Sequence, residues 1–322
     1  MANFVDKLQA AIDKKKSFVC VGLDPRLNRI PEQIKDKIVA EYGQTKEAVG
    51  KIFLEFNKGI IDAVCEHVPV VKPQIAFYEQ YGYEGIKAYE ETIKYAQQKG
   101  LLVIADTKRN DIGSTAKAYA DGYLGEVDFW DQSELGYGAD ALTVNGYLGI
   151  DGIQPFVDAC DEYGKGLFVL VRTSNPSAGD LQDLESDGQK IYEVMADLVN
   201  DWGADVKGKS GYSAVGAVVG ATYPEEAKEL REQMKEAYFL VPGYGAQGAG
   251  AEEVVPTFNE DGYGAVVNSA RGIIFAYERE PWKDKFSAKE YQAASQAAVE
   301  AMKDDINETL AKHNKLPWIN KN

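Results

Sequence analysis

The sequence predicts a parallel (β/α)8 barrel in one domain spanning residues 1–322, and three observations predict it. About eight short apolar runs of strand length recur along the chain, with helical patterns between them. The 322 residues, 45% of them hydrophobic, suffice for a barrel of about 250 residues plus insertions. Charged residues follow several of the runs directly, where the C-terminal rim of a barrel would lie. A doubly wound sheet is the alternative.

The elements follow in order. Phe4, Leu8 and Ile12 share one face of an N-terminal helix, and SFVCVGLD, ending at Asp24-Pro25, reads as the first strand. Residues 29–43 are mixed and partly helical. Lys46 to His67 places Val49, Ile52, Phe53, Phe56 and Ile60 at helical spacing. Two helical pieces exceed what one crossover needs, so 29–66 reads as an insertion. VPVVK, ending at Lys72, is the second strand, and a helix from Tyr83 to Lys99 stops at Gly100. Leu101 to Ala105 is the third strand, ending at Asp106. A helix capped by Ser114 then runs to Tyr123.

Ala139–Asn145 and Gly166–Thr173 are the fourth and fifth strands. A second insertion spans 181–210, including a helix over Gln189 to Trp202. Ala214–Ala221 is the sixth strand, followed by a helix opened by Pro224, with Ala227, Leu230 and Met234 inward. Tyr238–Val241 and Gly264–Asn268 complete the eight. Ser287 and Glu290 form a capping box for a C-terminal helix over 287–312.

Composition excludes several classes. A net charge of −16 and a pI near 4.7 argue against nucleic acid and anionic membrane as partners. Cys20, Cys65 and Cys160 stand far apart, as do His67 and His313, so neither a zinc site nor a Ser-His-Asp triad is available. No run approaches the ~18 apolar residues of a membrane span, and the amphipathic N-terminal stretch has no apolar core long enough for a signal peptide, which reads as cytoplasmic. The chemistry must then rest on Asp, Glu and Lys.

Those residues collect at one rim: Asp24 after the first strand, Lys72 after the second, and Asp106, Lys108 and Asp111 after the third. In an extended exit Asp106 and Lys108, two apart, project to the same side. The fifth strand offers Arg172, Thr173 and Ser174, the eighth Arg271. Alternating carboxylates and ammonium groups hold one another ionised. VPGYGAQGAG, with Gly243, Gly245, Gly248 and Gly250, presents bare backbone N–H groups to an anion, and Arg271 adds a planar fork suited to phosphate oxygens. Ser174 is open to two readings, a plain turn residue before Pro176 or a donor to a heterocycle. Tyr78, Tyr81 and Tyr83 read as core cover.

GLDPR, VKPQIAFYE, ADTKRNDIGSTA, RTSNPSAG, VPGYGAQG and SARG, in this order, resemble the orotidine 5′-phosphate decarboxylase family, in its longer-chain bacterial branch. The resemblance implies conversion of orotidine 5′-phosphate to uridine 5′-phosphate with no metal and no organic cofactor. By position, Lys72, Asp106, Lys108 and Asp111 are similar to the family's alternating Lys-Asp-Lys-Asp network, with Lys108 protonating C6. Asp24 and Lys72 would hold ribose hydroxyls, Ser174 the pyrimidine, Gln247 both phosphate and base, and Arg271 the phosphate beside Gly245. Asp111 and Thr115 would reach a neighbouring subunit's site, which implies a homodimer. The rival readings are a metal-dependent sugar-phosphate decarboxylase or synthase, a Schiff-base aldolase, and a non-catalytic nucleotide-binding barrel.

Overall fold

Runs that are apolar on both faces become strands only where both faces are covered, the condition met inside a ring of helices. The computed structural model of the chain describes residues 2–245 and 249–319. Eight strands form the barrel: β1 (Val19–Leu23), β2 (Val70–Pro73), β3 (Leu102–Arg109), β4 (Ala141–Val144), β5 (Gly166–Arg172), β6 (Ser213–Val219), β7 (Ala237–Pro242) and β8 (Ala265–Ser269). They pair in parallel and in chain order, and β1 pairs with both β2 and β8, so the sheet closes. The predicted single-domain (β/α)8 barrel is the observed fold.

The longer helices are α1 (Phe4–Lys15), α2 (Glu32–Tyr42), α3 (Lys46–Val64), α4 (Tyr83–Gln98), α5 (Gly113–Tyr123), α6 (Ile150–Tyr163), α7 (Ile191–Gly203), α8 (Pro224–Gln233) and α9 (Tyr291–Lys312). The Asn3 side chain caps α1 by accepting the Val5 N–H at 3.1 Å, and Phe4 meets Phe168 of β5 edge-on at 6.0 Å. α3 buries Ile52, Phe53, Phe56, Ile60 and Ile61 and packs against α4 and α9 as the crossover helix between β1 and β2. That leaves α2 as the extra element of 29–66. In 181–210, α7 is likewise a crossover helix, and the addition is a small hairpin, Glu185–Ser186 with Gln189–Lys190.

Several expectations are corrected. The third strand does not end before Asp106 but runs on to Arg109. Ser114 is not the cap of α5: the helix begins at Gly113, Ile112 holds the cap position, and no side chain bonds there. Tyr78 is fully buried, whereas Tyr83 is 75% exposed and covers no core. The C-terminal helix starts at Tyr291, after a 3-10 turn over Ala288–Glu290, although the Ser287–Glu290 capping box forms. A second hairpin, Glu126–Phe129 with Gln132–Leu135, was unforeseen because EVDFWDQSEL has no apolar run and stays exposed. Among the described residues, no helix is long and apolar enough to cross a membrane.

Candidate active site

A barrel directs the ends of its strands toward one mouth, so side chains remote in sequence meet there. Lys72 at the end of β2 and Asp106 on β3 are both almost fully buried, with Lys72 Nζ 2.5 Å from Asp106 Oδ2. Lys108 Nζ lies 2.6 Å from Asp106 Oδ1, with nearly half its side chain open to solvent. Burial alone would raise the Asp106 carboxyl, but the Lys72 and Lys108 ammonium groups outweigh it and hold it well below the usual carboxylate range. Burial likewise opposes the charge on Lys72, yet Asp106 and Asp24 hold it above the ordinary lysine range. The site therefore keeps a buried, ionised Lys72–Asp106 pair, with the half-exposed Lys108 bonded to Asp106 Oδ1.

Lys108 does not reach Asp106 by a simple extended exit. Its backbone is left-handed, with φ +49°, and the β3–β4 register shifts between Ala105 and Arg109. A β-branched neighbour stabilises this bulge: Thr143 Oγ1, buried on β4, accepts the backbone N–H groups of Thr107 at 2.9 Å and Lys108 at 3.1 Å. The same hydroxyl donates to Asp106 Oδ1 at 2.9 Å. Thr143 thus fixes both the carboxylate and the lysine backbone, and sequence reasoning missed it. Its only signal was its place inside the apolar run ADALTVN.

Asp24 stands just beyond β1. Tyr78 holds that strand end by donating to the Leu23 carbonyl at 3.0 Å, and buried Asn57 donates to the Tyr78 hydroxyl at 2.8 Å. Burial raises the Asp24 carboxyl, and the Asp106 charge adds to this against the pull of Lys72. Among the described residues, Asp24 Oδ1 is buried without a hydrogen-bond partner. Gly22 allows the close packing below it, since a Cβ there would lie 2.6 Å from that of Ala270. Asp24, Ser174, Gly243, Gly245, Asn268 and Arg271 line one cavity of about 920 Å³. Lys72, Asp106 and Lys108 are not among the residues lining this cavity; Asp24 connects the two, since it follows two residues after Gly22, which is level with Lys72 across β1 and β2.

The loop carrying Ser174 is braced rather than free. The Thr173 N–H donates to Gln182 Oε1 at 3.0 Å, and Gln182 Nε2 donates back to Thr173 Oγ1 at 2.8 Å. Arg172, expected among the rim charges, is buried and paired with Asp183 at 2.9 Å and Glu226 at 3.7 Å, and it stacks on Tyr223. It ties the 181–190 loop and the start of α8 to the end of β5. Gly220 completes the seat, because a Cβ there would come within 2.8 Å of Ser174 Cβ.

Asp111 and Thr115 lie apart from the Lys72, Asp106 and Lys108 group. Asp111 Oδ1 accepts the adjacent Ile112 N–H at 2.9 Å and makes no hydrogen bond to Lys108 among the described residues. Thr115 is exposed on the first turn of α5. Gln247 lies outside the described residues. Among the described residues, no group of three or more His, Cys, Asp or Glu side chains is placed to hold a metal ion.

The fold and mouth define a class: a (β/α)8 barrel whose mouth carries the buried Lys72–Asp106 pair, the half-exposed Lys108, and a cavity lined by glycine backbone and Arg271. The family described as Orotidine 5′-phosphate decarboxylase / HUMPS matches residues 17–283. Orotidine 5′-phosphate decarboxylase of Rhodopirellula baltica is 48% identical over 310 residues, 96% of this chain and 99% of that protein. The enzyme of the same name from Caldicellulosiruptor saccharolyticus is 41% identical, over 97% of this chain and 100% of its own length. The structure of Leishmania donovani OMP decarboxylase superposes with a TM-score of 0.71 at 30% identity, covering 96% of this chain and 98% of that one. The chain belongs to the orotidine 5′-phosphate decarboxylase / HUMPS family.

Proposed function

We propose that this protein decarboxylates orotidine 5′-phosphate to uridine 5′-phosphate, with Lys108 as the acid that protonates C6. The observation that carries the reading is the buried Asp106 carboxylate held between Lys72 and Lys108, at 2.5 and 2.6 Å, beside the cavity lined by Asp24 and Arg271. Relatives named for this reaction at 48% and 41% identity support it.

Breaking the bond from C6 to the carboxylate leaves the electron pair on C6 and releases CO2. No neighbouring group of the pyrimidine absorbs that charge, so a fixed cation must. Lys108 supplies it, its ammonium preorganised beside the buried Asp106 carboxylate at 2.6 Å. Its proton then passes to C6, and the amine is reprotonated from solvent. Both Asp106 oxygens are engaged, Oδ2 by Lys72 and Oδ1 by Lys108 and Thr143. This favours a role for Asp106 in positioning Lys108. Asp24 and Lys72 bind the ribose hydroxyls, Ser174 the base, Arg271 and the Gly245 backbone the phosphate. Gln247 bridges phosphate and base. The reaction so written uses no metal and no organic cofactor.

A homodimer completes the site, with Asp111 and Thr115 directed to the partner subunit. Asp111 shares its rim with exposed Ile112, Tyr147, Leu148 and Ile150, an apolar surface that association would cover. A spectrophotometric assay of orotidine 5′-phosphate consumption, with and without chelator, tests the activity. Turnover that persists in chelator is expected, and none by purified protein would refute the reading. Mixing inactive Lys108→Ala and Asp111→Ala chains tests the shared site: random reassortment restores about a quarter of wild-type activity. No restoration would place Asp111 in its own subunit's site and refute the shared one, and an active Asp111→Ala chain would place it outside the chemistry.

A further inference from the structure

We infer that Asn268 is a ligand-binding residue, its amide Nδ2 donating to an oxygen of the sugar-phosphate segment of the bound nucleotide. The inference rests on the reading just given and assigns a further contact within that site. Asn268 is only 9% exposed and lines the same cavity as Asp24, Ser174 and Arg271. Among the described residues its Oδ1 is buried with no hydrogen-bond partner. A primary amide carries two donors and an acceptor, and folded proteins rarely leave such a group dry unless another molecule supplies the bonds.

Its place on β8 indicates which part of the ligand it meets. Asn268 is level with Cys20 of β1 and Pro242 of β7. Cys20, Gly22 and Asp24 alternate onto one side of their strand, so Asn268 sits at the floor of the cavity, beneath Asp24. A Cβ built on Gly22 would lie 3.4 Å from Asn268 Oδ1, which puts the oxygen against the β1 backbone; the nitrogen, on the other branch of the planar amide, points away from that strand. Pro242 leads into the glycine loop, and Arg271 follows three residues after Asn268. The amide therefore lies between the Asp24 carboxylate and the phosphate seat, where the ligand presents oxygen acceptors.

The test is calorimetric titration of uridine 5′-phosphate into wild-type, Asn268→Ala and Asn268→Asp protein, with ligand-free melting temperatures and steady-state kinetics on orotidine 5′-phosphate. Asn268→Ala is expected to weaken nucleotide binding about 10-fold and to raise KM more than it lowers kcat. Asn268→Asp, which sets a carboxylate near the phosphate, is expected to weaken binding about 100-fold. The ligand-free melting temperature of Asn268→Ala should hold or rise, since an unsatisfied amide is removed. Affinity within about twofold of wild type would overturn the inference, with or without a loss of melting temperature. Should Asn268→Ala fail to fold, Asn268→Ser gives the same comparison. A wild-type protein that binds uridine 5′-phosphate without decarboxylating orotidine 5′-phosphate would fail the preceding reading and leave this one to the affinities. Absence of nucleotide binding by the wild type would overturn both.

Discussion

Replacing Thr143 by Val keeps the shape of a buried β-branched side chain and removes one hydroxyl. That hydroxyl makes three hydrogen bonds, one to the Asp106 carboxylate and two from the backbone of Thr107 and Lys108. A bond to a charged group contributes about 1.5–3 kcal/mol, and each buried N–H left unpaired costs about 1–3 kcal/mol. The Lys108 N–H bond is only part-buried, so that group can be resolvated, and the remaining two terms sum to about 2.5–6 kcal/mol of stability. The left-handed Lys108 backbone, itself worth about 1–3 kcal/mol of strain, would then relax and carry its ammonium away from the reacting carbon. Misplacement on the order of 1 Å lowers kcat about 100-fold. KM should change little, because no base or phosphate contact is touched. The assay is steady-state kinetics at saturating orotidine 5′-phosphate beside a thermal melt, with Thr143→Ser, which restores the hydroxyl, expected within about threefold of wild type. A Thr143→Val protein with a lowered melting temperature and an unchanged kcat would refute the argument that this hydroxyl positions the acid.

Other outcomes follow from the same geometry. Lys108→Ala should abolish turnover while retaining measurable uridine 5′-phosphate binding; near-normal activity would remove Lys108 as the acid. Arg271→Ala should lower kcat/KM chiefly through affinity, and an unchanged kcat/KM would remove Arg271 from the phosphate seat. The Asp24 carboxyl is raised by burial in the folded protein, so its contribution to stability is present below its unfolded pKa and lost as pH rises through the folded value. Asp24→Asn, which mimics the protonated form, should melt above wild type at pH 7 and converge with it below about pH 4, while binding nucleotide less well. A lower melting temperature at pH 7 would contradict that sign. Asp106 carries the opposite sign, its carboxyl being held low by Lys72 and Lys108 against the effect of burial. Asp106→Asn should melt below wild type at pH 7, the difference closing as pH falls below about 4.

By itself the sequence determined the barrel and the identity of its charged rim. Eight apolar runs can be buried on both faces in few ways, and a parallel sheet closed on itself brings Asp24, Lys72, Asp106 and Lys108 to one end whatever the details. Only the tertiary structure decided how those charges are held. Local alternation accounts for the side on which Asp106 and Lys108 emerge in an extended strand, but the left-handed turn at Lys108 depends on a hydroxyl 35 residues further along the chain. Arg172 carries the same charge as Arg271 and likewise follows an apolar run, yet it is spent on Asp183 and Glu226, partners fixed by folding. The unpartnered amide oxygen of Asn268 is of the same kind: an unsatisfied hydrogen bond exists only once the atoms around it are in place, and no pattern along the chain records it.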